Sequence, residues 1–287
     1  ILVKGATYLD AAAKIRAVAF DKTGTLTEGN FAVCGVQTAD GADEKEVLAL
    51  AAAAEAGSSH PIAKAFKGID CEYTAEDIRE VAGRGISAVL NGKPLLVGNA
   101  ALLKDKIDEN CWDGKWYLRA FYDDGEPLGS HRSDECQIDL LSQSFSVLCG
   151  MPDKHRVEMA LQSALHRLVD EDYQIVRLFT PPFDRSKEDP GYIKSYPKGI
   201  RENGGQYTHG AVWFALALLE NGQTDEGYRL LNMMNPVARC TEAKIAQAFK
   251  TEPHYIPADI YTHEGCYAHG GWSIYTGAAA WYYRTVI

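Results

Sequence analysis

Tyr196-Pro197-Lys198-Gly199-Ile200-Arg201-Glu202-Asn203-Gly204-Gly205-Gln206-Tyr207-Thr208-His209 decides how the larger part of this chain is read. Glycine, proline and charge fill its first part, as in a loop. It then runs straight into the apolar stretch 211–219. The pattern predicts a helix over residues 208–220, entered from a long loop over 180–205. Loops of that length are more often functional than connective. Working outward, helices are expected over residues 138–149, 155–169, 226–234, 242–249 and 276–283. In the second of these, Val157, Ala160, Leu161, Ala164, Leu165 and Leu168 recur at helical spacing.

The chain changes character near residue 105. All five Trp and thirteen of the fifteen Tyr lie in residues 111–287, whereas residues 1–105 are rich in Ala, Val and Gly. Such a shift marks a domain boundary, here carried only by the charged stretch 104–110. Ahead of it, Ala17-Val18-Ala19-Phe20 reads as a buried strand ending at Asp21. Residues 44–56 read as an Ala- and Leu-rich helix. Residues 86–90 and 95–97 flank Asn91-Gly92, a hairpin signal. The expected fold class is mixed, an α+β domain followed by an all-α domain. The expected segments are 1–33, 34–105 and 106–287.

Composition narrows the function classes. The 287 residues are 46% hydrophobic and 24% charged, as in an ordinary globular protein. The net charge is −10 and no block of Lys and Arg stands out, which argues against nucleic acid and anionic membranes as partners. The longest apolar runs, 47–54 and 211–219, are about half of the ~20 residues that span a bilayer. No membrane span and no signal peptide are expected. The seven cysteines are widely spaced without a CxxC, so neither a disulfide framework nor a metal site is expected. Reduced thiols and a cytoplasmic location follow. The start without Met, in mid-pattern, reads as a fragment.

Two sets of motifs carry chemistry. Asp21-Lys22-Thr23-Gly24-Thr25-Leu26-Thr27 follows the expected strand directly. A carboxylate there can attack a phosphoryl group, and the backbone N–H groups after it can cradle phosphate oxygens. Downstream come Glu55, then Ser59-His60-Pro61, Gly83-Arg84-Gly85, Gly92-Lys93 and Val97-Gly98-Asn99. Singly, His60 reads equally as a helix-start residue and Gly83-Arg84-Gly85 as a plain turn. Together, in this order, the strings resemble heavy-metal P-type ATPases over residues 1 to about 103. The resemblance implies Asp21 as phosphoryl acceptor and ATP with Mg2+ as cofactor. It implies Glu55, His60, Gly83 and Gly85 as ATP contacts. The family's magnesium-holding GDGxND segment, its TGE loop and its Cys-Pro-Cys membrane helix do not occur in this sequence. ATP binding is implied, ion pumping by this chain is not, and the parent ATPase is a membrane protein.

In the second half, Trp112-Asp113-Gly114-Lys115-Trp116-Tyr117 opens a series of aromatic and polar strings. It ends in Gly270-Gly271-Trp272 and Tyr275-Thr276-Gly277-Ala278. By residue type this is a carbohydrate site, with aromatic faces for sugar rings and carboxylates, amides and Arg for hydroxyls. Taken singly, each Trp or Tyr also fits core packing, and His209 a satisfied structural histidine. His209, near a helix start, could bind an anion with the helix N–H groups, and Thr276-Gly277 at a second helix start could do likewise.

The combination resembles glycoside hydrolase family 94, the inverting phosphorylases of β-glucosides, over residues 111–287. The similarity extends to the phosphorylase-like domain of cyclic β-1,2-glucan synthases. It implies an (α/α)6 toroid, here incomplete. It implies inorganic phosphate as co-substrate and a β-linked gluco-oligosaccharide as ligand. By the same resemblance His209, Thr276 and Gly277 match phosphate-binding positions and Glu202 a sugar-binding one, with Gln206 and Arg201 as further candidates for that pocket. The family's general acid lies in a DWND-type segment that this sequence lacks, and Asp113 sits in a different motif. Two unrelated resemblances imply a chimera joined near residue 105. One reading makes the ATPase part the main function, and another makes the chain an inactive artificial fusion.

Overall fold

A computed structural model describes residues 31–39, 41–273 and 276–287, with Thr276 described by its backbone alone. Asp21 and the expected strand before it lie outside the described residues. The chain forms two compact units, residues 1–103 and 104–287.

The first unit is a three-stranded antiparallel sheet with helices. Helix α1 (Glu44–Glu55) is capped by Asp43, whose Oδ1 accepts from the Lys45 N–H at 2.9 Å. It buries Ala49, Ala53 and Ala54, small side chains that let it lie close against the sheet. A single 3-10 turn, Pro61–Phe66, follows. Strands β1 (Glu76–Val81), β2 (Gly85–Leu90) and β3 (Lys93–Gly98) pair in that order. Asn91 and Gly92 both take positive φ, 52° and 76°, as the tight hairpin between β2 and β3 requires. On β2, Ile86 and Ala88 are buried and alternate with less buried neighbours. Strand β1, one of the two edges of the sheet, was not expected: with Glu76, Asp77, Arg79 and Glu80 it carries no apolar alternation.

The charged stretch 104–110, expected to separate the halves, is helical instead. It forms the greater part of α2 (Ala100–Asn110). Asn99 starts this helix, its Oδ1 accepting from the Ala101 and Leu102 N–H groups at 3.1 and 3.2 Å. Leu102 is buried, and Lys106 pairs with Glu109 one turn on at 2.6 Å.

The second unit is helical, stitched by two-residue strand pairs. Its helices are α3 (Leu140–Leu148), α4 (Lys154–Leu168), α5 (Thr208–Glu220), α6 (Thr224–Met234), the short α7 (Pro236–Arg239), α8 (Ala243–Phe249) and α9 (Thr276–Val286). Helix α5 is apolar all round, which suits a helix enclosed on several sides. It packs against α3, α6 and α9 and buries Ala211, Val212, Phe214, Ala215, Ala217 and Leu218. Helix α3 starts two residues later than its sequence pattern suggested. Ile138 and Asp139 pair with Thr180 and Phe179, and Asp139 caps the helix by accepting from the Leu141 N–H at 2.9 Å.

Two polar devices hold the loops. Asp113 accepts from the N–H groups of Lys115, Trp116 and His131 at 2.9, 3.1 and 2.8 Å, which turns the chain and seats the buried Trp116. Arg239 is fully buried and donates to the backbone carbonyls of Gln174, Met233 and Tyr173, with its guanidinium over the Phe249 ring. Burial lowers its pKa to about 10. All seven cysteines are free thiols. Among the described residues no helix is long and apolar enough to cross a membrane.

Candidate functional site

In the first unit, Glu55, His60, Gly83 and Gly85 line one cavity of about 420 Å³, together with Ser58, Phe66 and Asn99 among others. Four elements converge there. Glu55 ends α1, and its Oε2 is buried without a hydrogen-bond partner. His60 precedes the 3-10 turn and accepts the Ile62 N–H on Nδ1 at 3.2 Å, so its ring proton sits on Nε2. Gly83 and Gly85 form the turn between β1 and β2 with φ of 70° and 145°. At Gly85 any Cβ would overlap the Val97 backbone carbonyl. Asn99 ties the turn down by donating from Nδ2 to the Gly83 carbonyl at 3.0 Å. The result is a hollow lined by two carboxylates, Glu55 and Glu80, one imidazole and backbone, a set that can grip a flat heterocycle and its hydrogen-bonding edge.

In the second unit, His209 and Gly277 meet. A Cβ on Gly277 would stand 3.5 Å from the His209 Nδ1. One turn further along both helices, Trp213 and Trp281 meet at 5.7 Å between ring centres. The equal spacing means that α5 and α9 run parallel, with their N-termini side by side. Both helices then direct their positive dipole ends to the same place. His209 lies between Tyr207, Trp213 and Trp281, and its Nε2 is buried without a partner. Burial lowers its pKa. Thr276 opens α9 beside this pair.

Next to it, Glu202 and Arg201 lie 3.6 Å apart, and the Arg201 guanidinium stacks 4.1 Å from the half-exposed Trp272 ring. Glu202 Oε2 is buried without a hydrogen bond. Tyr207 feels the charges of Glu202 and Arg201 and stacks on His209, so it joins the two groups of residues. Asp259, which no sequence motif singled out, pairs with Tyr207 across a two-residue ribbon (Gln206–Tyr207 with Asp259–Ile260). It is 3% exposed, its Oδ1 accepts from the Trp272 N–H at 3.2 Å, and its Oδ2 has no partner. Burial raises its pKa, and the nearby Glu202 charge adds to that. A Cβ on Gly271 would overlap its carboxylate.

Gln206 is tied into the fold. Its side chain is fully buried, with Oε1 accepting from the Val176 N–H at 2.8 Å and Nε2 donating to Thr208 Oγ1 at 3.2 Å. Both ends are used inside the fold. Among the described residues no group of three or more His, Cys, Asp or Glu is placed to hold a metal ion.

Comparison with known proteins finds two families, whose matches overlap over residues 96–133. Residues 15–133 match the haloacid dehalogenase-like hydrolase family. A zinc-transporting ATPase of Synechocystis is 44% identical over 39% of this chain and 16% of its own length. The cyclic beta-(1,2)-glucan synthase NdvB of Rhizobium meliloti is 47% identical over 63% of this chain. A solabiose phosphorylase of Paenibacillus borealis is 31% identical over 65% of this chain. The chain spans only 6% and 24% of the length of these two relatives. Residues 96–287, more than half of the chain, match the catalytic domain of the glycosyl hydrolase 94 superfamily, and the chain belongs to that superfamily.

Proposed function

We propose that residues 104–287 are part of an inverting glycoside phosphorylase domain, an incomplete (α/α)6 toroid that binds inorganic phosphate and a β-linked gluco-oligosaccharide. The carrying observation is the pairing of His209 with Gly277 at two parallel helix N-termini, with the buried His209 Nε2 lacking a partner. Converging helix ends and an imidazole N–H suit a phosphate dianion. Glu202 and Arg201, beside the exposed Trp272 face, suit a sugar ring and its hydroxyls. In phosphorolysis, phosphate attacks the anomeric carbon from the face opposite the leaving sugar, so one protein acid suffices. The acid's DWND-type segment does not occur in this sequence, and the reading for this chain is binding without turnover. The test is calorimetric titration of the full chain with inorganic phosphate and then with a β-1,2-linked glucose disaccharide. The expected result is phosphate binding that is lost in His209→Ala. Binding unchanged in that variant would sink the assignment.

A second reading has its own observation. The first unit binds ATP, accompanied by Mg2+, because the four residues read from the sequence line one cavity and Glu55 offers a buried acceptor there. As phosphoryl acceptor, Asp21 lies outside the described residues, and no step is derived through it. ATP titration of the full chain should show binding that His60→Ala weakens about tenfold.

A further inference from the structure

We propose that Glu80 is a positioning residue for the nucleotide cavity, the clamp that holds His60 in place; this rests on the ATP reading of the first unit. Glu80 belongs to no motif in the sequence. It lies on β1, and its side chain reaches the segment that precedes the 3-10 turn. Its Oε1 accepts from the Ser59 N–H at 2.6 Å, from Ser58 Oγ at 2.9 Å and from Ser59 Oγ at 3.2 Å. Its Oε2 takes a further bond from Ser59 Oγ at 3.3 Å.

The Ser58 hydroxyl then relays the grip. Having donated its proton to Glu80, it accepts the His60 N–H at 3.1 Å. His60 in turn fixes its ring by accepting the Ile62 N–H on Nδ1. One carboxylate therefore sets a hydroxyl, the hydroxyl sets a backbone N–H, and the imidazole follows. These bonds lie on exposed chain, where little apolar burial could do the same work. The Ser59 N–H and the Ser58 hydroxyl hold the Glu80 carboxyl below its ordinary pKa.

Position adds a second argument. Glu80 and the glycine turn belong to one continuous segment, Glu80-Val81-Ala82-Gly83-Arg84-Gly85, and Glu80 itself lines the cavity. The clamp thus fastens the His60 wall to the glycine wall. A ligand held between the two walls feels their separation directly, so loss of the clamp is expected in affinity before it is expected in stability.

The experiment is ATP titration of the full chain for Glu80→Ala, Glu80→Gln, His60→Ala and the Glu80→Ala/His60→Ala pair. Glu80→Ala should weaken ATP about five- to tenfold. Glu80→Gln keeps a carbonyl acceptor and should recover most of that. The double variant should be no weaker than His60→Ala alone, because Glu80 acts through His60. Affinity unchanged in Glu80→Ala, or losses that multiply in the pair, would overturn the proposal. The His60 ring signal in an NMR spectrum gives a readout independent of ATP. It should shift or broaden in Glu80→Ala and return in Glu80→Gln. If the unaltered chain binds no ATP, the nucleotide reading fails, and a His60 signal that ignores Glu80→Ala would still overturn the clamp.

Discussion

The two units build their sites in opposite ways. In the first, the cavity residues sit on exposed turns at the ends of short elements, and glycine backbone supplies much of the wall. In the second, the polar atoms that matter are buried without a hydrogen bond: His209 Nε2, Asp259 Oδ2 and Glu202 Oε2, the last facing Arg201 at 3.6 Å. They arrive from two segments some fifty residues apart, 202–209 and 259, and are closed over by residues 271–272 and 277. A site on exposed turns can lose its ligand without unfolding. A site of buried orphan groups is part of the packing, and changes there reach stability as well as binding.

Four outcomes would break or sharpen that contrast. The largest is all-or-none. Residues 15–133 and 96–287 match different families. If the chain joins two genes, amplification of the source DNA with primers on either side of codons 95–120 should give no single product, while each side amplifies alone. A continuous product would make the two sites partners in one gene. Next in size is Gly271→Ala, whose Cβ overlaps the Asp259 carboxylate. It should destabilise the second unit by about 3 kcal/mol. Tryptophan fluorescence during urea unfolding reads this unit selectively, because all five Trp lie in it. A loss under about 0.5 kcal/mol would mean that Asp259 is free to move.

Gly85→Ala should cost the first unit about 2 kcal/mol, from its φ of 145° and the overlap with Val97. Hydrogen exchange over residues 76–98 should quicken while the Trp transition stays put. A shift of the Trp transition would show that the units do not respond separately.

The smallest effect is a pH dependence. Burial lowers the His209 pKa, so the unfolded chain binds the proton more readily than the folded one. The stability contribution is full above the ordinary histidine pKa, about 6.5, and is lost as pH falls from there through the lowered value. His209→Gln should flatten the second unit's unfolding midpoint between about pH 7 and 5 relative to the unaltered chain. Parallel curves for the two proteins would assign the titration elsewhere.

How much of this was legible in the sequence follows from how local each signal is. Helix α5 was readable to the residue, because its apolar run and the glycines before it are contiguous. The Asn91-Gly92 hairpin was readable for the same reason, since two positive φ angles need those residue types. The cavity quartet could be named because each member sits in a short string. Asp259 could not, because its only marks are a partner across a two-residue ribbon and a glycine twelve positions later. Gln206 shows the converse: an amide between a glycine pair and an aromatic residue has the chemistry of a sugar contact, and only the fold shows that both its ends also bond within the protein. Strand β1 and the helical character of 104–110 were hidden by charge, which on an edge strand or an exposed helix face is compatible with either structure.

Arg239 carries a consequence for how the second unit is held together. Its guanidinium gathers carbonyl oxygens from Tyr173, Gln174 and Met233, two segments some sixty residues apart, around one positive charge. Calcium does the same for many loops, collecting main-chain oxygens around a cation. Here the cation is covalently part of the chain. Dialysis and chelators cannot strip it, so this junction keeps its counter-charge under conditions that dissolve a metal-held loop.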